Sequence, residues 1–235
     1  MLVVLASAHD ATAQAIVAAW APWGAALCIP ADLSTPGWRH RVGAPEEAVA
    51  VISGQAVPVA AISGVLSRKP AVQPEELGHI ATADRNYVAS EMTAFLIAFL
   101  SALPCEVLNR PSAGSLAGPA WRPEQWIRAA ASAGIPIRPS QRRVRSNAPA
   151  ESGVGVAVEL TVIGDHVFGA TEVRMADWAR SLASAAGVGL LGLGFARQPT
   201  GYALATVNPS PDLDTPDRLD AAREFLLAGA DGLSP

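Results

Sequence analysis

The sequence is poor in the residues that usually bind phosphate or nucleic acid. It contains one lysine, Lys69, beside sixteen arginines, and only 16% of its 235 residues are charged. The net charge is −4, and no lysine-rich block is present to neutralise a phosphate backbone. This composition argues against a nucleic-acid partner, whereas the 50% hydrophobic content predicts a folded chain with a real core.

Cysteine and long apolar runs are also scarce. Cys28 and Cys105 are too few for a disulfide framework or a zinc site, and the four histidines lack metal-ligand spacing. The longest apolar stretch, Met92 to Leu103, is well short of the roughly twenty residues that a membrane helix needs. The N-terminus lacks the basic segment of a signal peptide. We therefore expect a cytoplasmic protein with no metal site and no catalytic constellation.

Hydrophobic periodicity predicts an α/β arrangement in the first part of the chain. Leu2–Ala6 and Ala25–Ile29 are expected to form buried strands around a helix that Asp10 or Thr12 caps. Asp84 is expected to begin a largely buried helix. The other predicted elements are strands at Trp38–Val42, Ala48–Ile52, Val57–Leu66 and Glu106–Leu108, and a helix at Trp121–Ala133.

The second part follows an exposed connector and is predicted to be α+β. Gly164 and Asp165 separate two β-branched runs, which is typical of a hairpin. The predicted elements are strands at Val154–Ile163, His166–Val173, Gly189–Ala196 and Tyr202–Val207, and helices at Met175–Ala186 and Thr215–Leu227.

One glycine motif has the spacing of a dinucleotide-binding loop. Gly187, Gly189 and Gly192 fit G-x-G-x-x-G, and Asp212 lies twenty residues further on. However, the motif follows a predicted helix and enters a predicted strand, whereas pyrophosphate binding needs the reverse order. A nicotinamide-dependent oxidoreductase is therefore the weakest of the hypotheses considered.

Two stretches of the chain carry motifs in a fixed order. The first contains Arg85, Tyr87, Glu91, Asn109, Pro111, Gly134, Ile135 and Pro136, and the second contains Glu159–Val173, Gly189–Phe195 and Ala205–Asp212. The first stretch resembles the N-terminal half of ATP-grasp peptide ligases that cross-link microviridin-type precursor peptides, and the second is similar to the end of their grasp domain.

The resemblance implies a fold and a domain division. It implies α/β architecture with a pre-ATP-grasp, Rossmann-like domain at 1–140, a connector at 141–153 and a truncated ATP-grasp α+β domain at 154–235. The connector is too short for the family's central, lysine-bearing domain. A truncated protein of this kind also resembles the truncated ATP-grasp protein of crocagin maturation.

The chain departs from the family at the positions that handle ATP and magnesium. The acid of the Glu-x-Asn signature is replaced by Thr206, although Asn208 is kept, and a metal-binding aspartate is replaced by Gly194. An arginine expected to meet phosphate is replaced by Glu159. Because Mg²⁺ depends on carboxylate oxygens, these losses predict a protein without catalytic residues, metal or cofactor.

The leading hypothesis is therefore a non-catalytic adaptor for a precursor or leader peptide in ribosomal peptide biosynthesis. We expect the peptide to use the hairpin surface around Asp165 and His166 or the cleft between the two halves. The acidic residues Glu159, Asp165 and Glu172 are then available to a basic peptide side chain. The adaptor is expected to be a homodimer and to serve separate modifying enzymes. The alternative is an ATP-dependent carboxylate-amine ligase with atypical metal ligands.

Overall fold

A computed structural model describes residues 1–138, 155–170, 172–199 and 201–231, without the side chains of the last two. The chain forms two compact units. The first unit contains Met1–Ala120 and the chain from Asp212 onward, and the second contains Trp121–Pro211. Among the described helices, none combines the length and apolar character that crossing a membrane requires.

The described elements follow one another in this order. They are β1 (Leu2–Leu5), α1 (Ala11–Ala19), β2 (Ala26–Cys28), β3 (Val49–Ile52), β4 (Gln55–Pro58), β5 (Gly64–Ser67), α2 (Arg85–Ala102), β6 (Glu106–Leu108), α3 (Pro123–Ser132), β7 (Val158–Ile163), β8 (His166–Phe168), α4 (Val173–Ala186), β9 (Leu190–Gln198), β10 (Gly201–Asn208) and α5 (Pro216–Asp231).

The first unit is built on a parallel sheet in the order β2-β1-β5-β6. All four residues of β1 are buried, as expected for a strand with both faces covered. Helix α2 packs on one face, and α5 contacts β5 and β6. A Cβ on Gly64 would meet the Cβ of Leu226 at 2.8 Å, so this close approach of α5 requires glycine.

The second unit is built on an antiparallel sheet in the order β10-β9-β7-β8. The predicted hairpin is confirmed, since Ile163 pairs with His166 across the Gly164-Asp165 turn. Helices α3 and α4 pack on one face of this sheet through a cluster that includes Trp126, Ala130, Met175, Ala179 and Leu182. The predicted mixture of α/β and α+β elements is thus confirmed.

Three predicted strands differ from the observed ones. Residues Trp38–Val42 do not form a strand: only Arg39 bridges to Val49, and the side chain of Val42 is 91% exposed. The predicted strand Val57–Leu66 is divided into β4, a 3₁₀ turn and β5, because the chain turns after Pro58. The predicted strand His166–Val173 ends at Phe168, and Val173 instead begins α4.

The glycine motif has the context that the sequence predicted. Gly187 ends α4 with a left-handed φ of 63°, and Gly192 lies inside β9. No helix follows these glycines, so no helix N-terminus meets a bound pyrophosphate there. The structure gives no support to a dinucleotide site at this motif.

The two compact units divide the chain differently from the predicted domains. Helix α3 contacts α4 and belongs to the second unit, although the prediction grouped it with residues 1–140. Helix α5 belongs to the first unit, because Gly64 and Gly229 bring it close to β5 and β6. The predicted connector at 141–153 lies outside the described residues.

Candidate functional site

Three of the predicted metal or ATP positions lie in one row across the second sheet. Glu159 on β7 pairs with Gly194 on β9, and Gly194 pairs with Thr206 on β10. Directly opposite residues of neighbouring strands share a face of the sheet, so all three positions belong to the same face. A β-bulge at Ala205 sets this register, because it adds one residue between the pairs of Leu204 and Thr206.

The middle of this row has no room for a side chain. A Cβ on Gly194 would overlap the hydroxyl oxygen of Thr206 and would come within 3.0 and 3.1 Å of the two methyl groups of Val156. Gly192, two residues earlier, is crowded in the same way by Pro211, whose Cβ would lie at 2.9 Å. An aspartate at position 194 therefore cannot be accommodated without displacing Thr206 or Val156.

The remaining oxygen ligands of the row are far apart or already bonded. Glu159 and Thr206 are separated by two strand spacings, about 10 Å, which is too far for short side chains to share one ion. The side-chain oxygen of Asn208 accepts a hydrogen bond from the Ser210 N–H at 2.9 Å. In the part of the chain that the structure describes, no three His, Cys, Asp or Glu side chains group to hold a metal. The residues present do not fit the Mg²⁺–ATP site of the family.

The sole lysine is held in a buried ion pair within the first unit. The ammonium of Lys69 contacts the carboxylate of Glu76, and both side chains are largely buried. Burial lowers the pKa of Lys69, although the nearby Glu76 opposes the shift. Burial would raise the pKa of Glu76, but hydrogen bonds from Lys69, Ser7 and the Gln73 N–H bring it below its ordinary value. The ammonium of this lysine is therefore paired with a carboxylate of its own unit.

A charged cluster that sequence analysis missed lies at the carboxyl edge of β1 and β5. Arg68 directly follows β5 and donates to the carboxylates of Asp10 at 2.9 Å and Asp212 at 3.2 Å. Open parallel sheets commonly bind ligands at this edge. Here Arg68 and Lys69 are each paired with a carboxylate of the same unit. The position of both residues immediately after a predicted strand was the available signal.

The two cysteines are buried thiols. Burial, assisted by Asp32, raises the pKa of Cys28 to about 12, and burial also raises the pKa of Cys105. A nucleophilic cysteine needs the opposite shift, towards the thiolate. Neither cysteine is therefore suited to covalent catalysis.

Other residues that matched the family motif have local structural contacts or lie on the surface. The guanidinium of Arg85 donates to the backbone oxygens of Ile80 at 2.9 Å and Gly78 at 3.2 Å. Asn109 is buried at the end of β6, whereas Tyr87 and Glu91 are exposed on α2.

The four predicted peptide-binding residues fall at two ends of the second unit. Asp165 and His166 lie at the β7–β8 turn, where His166 pairs with Ile163, while Glu159 lies near the opposite end of β7, about 13 Å along the strand from Ile163. Glu172 precedes α4, eight residues before Arg180, whose guanidinium donates to the Asp165 backbone oxygen at 3.2 Å. All four side chains are exposed, but Asp165 and His166 lie apart from Glu159.

No protein-family model matches the chain. No curated protein matches it either. Solved structures match this chain over nearly the whole length of both proteins. These matches do not show that a central domain is missing, so its predicted loss stays a prediction.

Three of these solved structures contain a bound precursor, leader or core peptide. The macrocyclase MdnC of Microcystis aeruginosa MRC, bound with precursor peptide MdnA, superposes with a TM-score of 0.70 at 12% identity, covering 97% of this chain and 99% of MdnC. The ATP-grasp ligase PsnB, complexed with a minimal precursor, Mg and ADP, gives 0.67 at 14% identity, covering 98% of each chain.

The third is a RiPP-associated ATP-grasp ligase of Chryseobacterium gregarium in complex with ADP and a leader and core peptide. It gives a TM-score of 0.64 at 11% identity, covering 100% of this chain and 97% of the ligase. Likeness at this level of identity concerns the fold, and activity is decided by the residues of the site. The chain therefore shares the fold of these ATP-grasp ligases.

Proposed function

We propose that this protein is a non-catalytic relative of the ATP-grasp peptide ligases that binds a precursor peptide. In this role it presents the peptide to separate modifying enzymes in the cytoplasm and does not itself consume ATP. The proposal has two parts, the loss of nucleotide chemistry and the retention of peptide binding, and each is supported by a different observation.

The crowding at Gly194 carries the first part. A metal-binding carboxylate at this position would need space that the Thr206 hydroxyl and the Val156 methyl groups fill. Thr206 supplies a neutral oxygen where the family pattern has an acid, and Glu159 places a negative charge on the same face. Phosphoryl transfer depends on neutralising the charge of the phosphates. A site that lacks the carboxylates that would bind Mg²⁺, and that places the negative charge of Glu159 where phosphate would lie, is poorly suited to phosphoryl transfer.

The second part comes from the structural neighbours. MdnC, PsnB and the Chryseobacterium gregarium ligase were each solved with a precursor, leader or core peptide bound. This chain keeps the fold over nearly its whole length but lacks the carboxylates at the metal positions. Peptide recognition is therefore the function that the fold most directly retains. A second copy of the chain is the expected partner in a homodimer, the commonest symmetric assembly.

Two binding measurements test the proposal on the full chain. We expect a peptide encoded beside this gene to bind with micromolar or tighter affinity in the absence of nucleotide. We expect ATP with Mg²⁺ to leave the melting temperature unchanged, because a ligand stabilises only a folded state that it binds. ATP without Mg²⁺ serves as the matched control.

Two outcomes contradict the proposal. A melting temperature that rises with ATP and Mg²⁺, and not with ATP alone, would indicate a working ligase site with unusual ligands. Absence of binding to every short peptide encoded beside the gene would contradict the adaptor role. Light scattering of the purified chain gives the oligomeric state independently of both results.

A further inference from the structure

Charge is distributed unevenly between the two units. Residues 121–211 contain nine arginines and six acidic residues, for a net charge of +3, whereas the rest of the chain has eight basic and fifteen acidic residues, for a net charge of −7. Three of the nine arginines lie in the range 139–154, outside the described residues. The second unit is thus the more attractive surface for an acidic partner.

One end of the second sheet combines exposed apolar and basic side chains. Val173, the first residue of α4, is 82% exposed. The guanidinium of Arg174 lies 4.8 Å from the centre of the Trp178 ring, a cation–π distance. Trp178 in turn stacks on buried Phe195 of β9, with ring centres 6.1 Å apart and planes inclined by 17°. The stack on Phe195 therefore fixes the position of the Trp178 ring, and the cation–π contact with this ring orients the Arg174 guanidinium.

A second arginine extends this surface along β9. Arg197 lies two residues after Phe195, on the same side of the strand, and its side chain is exposed. Its cross-strand partner Tyr202 is half-buried against the core of the unit. We name the group Val173, Arg174, Trp178, Arg197 and Tyr202 the arginine–tryptophan patch.

The two arginines of this patch have no ion-pair partner within the described residues. Several other arginines do, among them Arg180, which contacts Asp177 at 3.4 Å, and Arg68. The nearest acid in sequence is Glu172, which precedes α4 and does not cap it through its side chain. The N–H groups at this helix start add partial positive charge beside Arg174. The guanidinium groups of Arg174 and Arg197 can therefore donate to acidic side chains of a partner, because no described carboxylate is paired with them.

We propose that the arginine–tryptophan patch binds an acidic peptide segment that also carries apolar side chains. This inference rests on the proposed peptide-binding function and assigns the surface and the chemistry of the partner. Carboxylates of the peptide pair with Arg174 and Arg197, and an apolar side chain packs on Val173 and the edge of Trp178. The sign of the charge is opposite to that expected from Glu159, Asp165 and Glu172.

A nucleic acid would also offer anions and stacking surfaces, but it fits the patch less well. The whole chain has a net charge of −4, which repels a polyanion, and a phosphate backbone offers nothing apolar to Val173. A single-stranded oligonucleotide therefore belongs in the test as a competing ligand.

The test uses fluorescence anisotropy on the full chain at low ionic strength. The probe is a short labelled peptide in which pairs of glutamates alternate with pairs of leucines. We expect Arg174→Glu to weaken its binding about tenfold and Arg197→Glu about fivefold, because each change replaces an attraction by a repulsion. Arg128→Glu, an exposed helix residue of the same unit, is the matched control and should change the affinity less than about twofold.

Further variants and ligands distinguish an effect of charge on binding from a loss of folding and from binding to nucleic acid. The neutral variant Arg174→Gln should weaken binding in the same direction by a smaller factor, and thermal melting confirms that each variant is folded. The inference is overturned if Arg128→Glu weakens binding as much as the patch variants do, or if neither patch variant weakens it. It is also overturned if a peptide with lysine in place of glutamate binds equally well, or if an oligothymidine binds more tightly.

The same variants distinguish failure of this surface from failure of the proposed function. A gene-encoded precursor peptide that binds wild type and Arg174→Glu equally well would overturn the patch and leave the peptide-binding function intact. Loss of probe binding in Arg174→Glu, with no precursor peptide binding to wild type, would support the patch and contradict the adaptor role.

Discussion

The two units use charged residues in different ways. In the first unit, Arg68 and Lys69 sit at the edge of the parallel sheet and are paired with carboxylates of the same unit. In the second unit, the arginines at the start of α4 and at the end of β9 have no described carboxylate partner. Charges that are paired within a unit are occupied by the fold, whereas unpaired charges on a surface are available to a partner.

The largest expected effect comes from breaking the buried ion pair of the first unit. We expect Lys69→Met to lower the free energy of unfolding by about 3–5 kcal/mol, because it leaves the carboxylate of Glu76 uncompensated. The measurement is urea unfolding followed by tryptophan fluorescence.

The matched control is an exposed ion pair of the same unit. Arg41 contacts Glu47 at 3.3 Å with both side chains at least half exposed, so Arg41→Met should cost less than about 1 kcal/mol. Adding Glu76→Leu to Lys69→Met should recover much of the loss. Similar losses from Lys69→Met and Arg41→Met would show that the pair contributes little to stability.

Crowding in the row formed by Glu159, Gly194 and Thr206 of the second unit predicts a smaller destabilisation. We expect Gly194→Asp to lower the free energy of unfolding by about 1–3 kcal/mol, because the new side chain overlaps Thr206 and Val156. Gly155→Ala is the control, since an added Cβ there meets nothing within 4 Å. If Gly194→Asp is as stable as Gly155→Ala and gains Mg²⁺ binding, the account of a closed site is wrong.

The pH dependence of the first unit should reflect the pairing of Arg68. Burial would raise the pKa of Asp10, but the hydrogen bond from Arg68 and those from the helix N–H groups bring it below its ordinary 3.8. The resulting stabilisation is present above pH 3.8 and is lost as the pH falls through the lower folded pKa.

Asp10→Asn isolates this contribution. The amide oxygen still accepts the hydrogen bond from the Ala13 N–H, while the charge that attracts Arg68 is removed. We expect the stability of this variant to fall less steeply than that of wild type below pH 3.8. Identical acid profiles, measured by urea unfolding at several pH values, would contradict the assignment.

The smallest expected effect concerns activity. Thr206→Glu restores one acid of the row, but Gly194 still offers no side chain and Glu159 still opposes an anion. We expect no ATPase activity in a coupled assay with Mg²⁺ and a precursor peptide. Turnover produced by this single change would contradict the proposed loss of catalysis.

Glu172→Lys gives a direct contrast between the two views of peptide binding. If Glu172 attracts a basic side chain, its reversal weakens precursor binding. If the neighbouring arginine–tryptophan patch attracts acidic side chains, the same change strengthens binding by about twofold to threefold, as expected for a charge at the rim of an interface. Anisotropy measurements at low salt decide between the two signs.

Local patterns in the sequence predicted most of the secondary structure. The apolar run of β1, the Asp10 cap of α1 and the Gly164-Asp165 turn each act within a few residues, and all three were confirmed. The expected strand at Trp38–Val42 failed because β propensity alone does not supply a pairing partner along its length.

The candidate site depended on contacts that the sequence does not display. That Glu159, Gly194 and Thr206 fall in one row is fixed by pairing between three strands and by the bulge at Ala205. The separation of Asp165 from Glu159 follows from strand length. The arginine–tryptophan patch could not be predicted, because Arg174 and Arg197 are far apart in the sequence. The stack of Trp178 on Phe195 places the start of α4 beside the strand that carries Arg197.

The place of α5 in the first unit has a consequence for the order of synthesis. The indole N–H of Trp20 donates to the Leu219 backbone oxygen at 3.2 Å, and Leu226 of α5 packs against Gly64. The ribosome must therefore translate the whole of residues 121–211 before the first sheet can gain its last helix. Until then, the apolar residues that α5 covers beside β5 are exposed, and exposed apolar surface of this kind makes incompletely folded chains prone to aggregation.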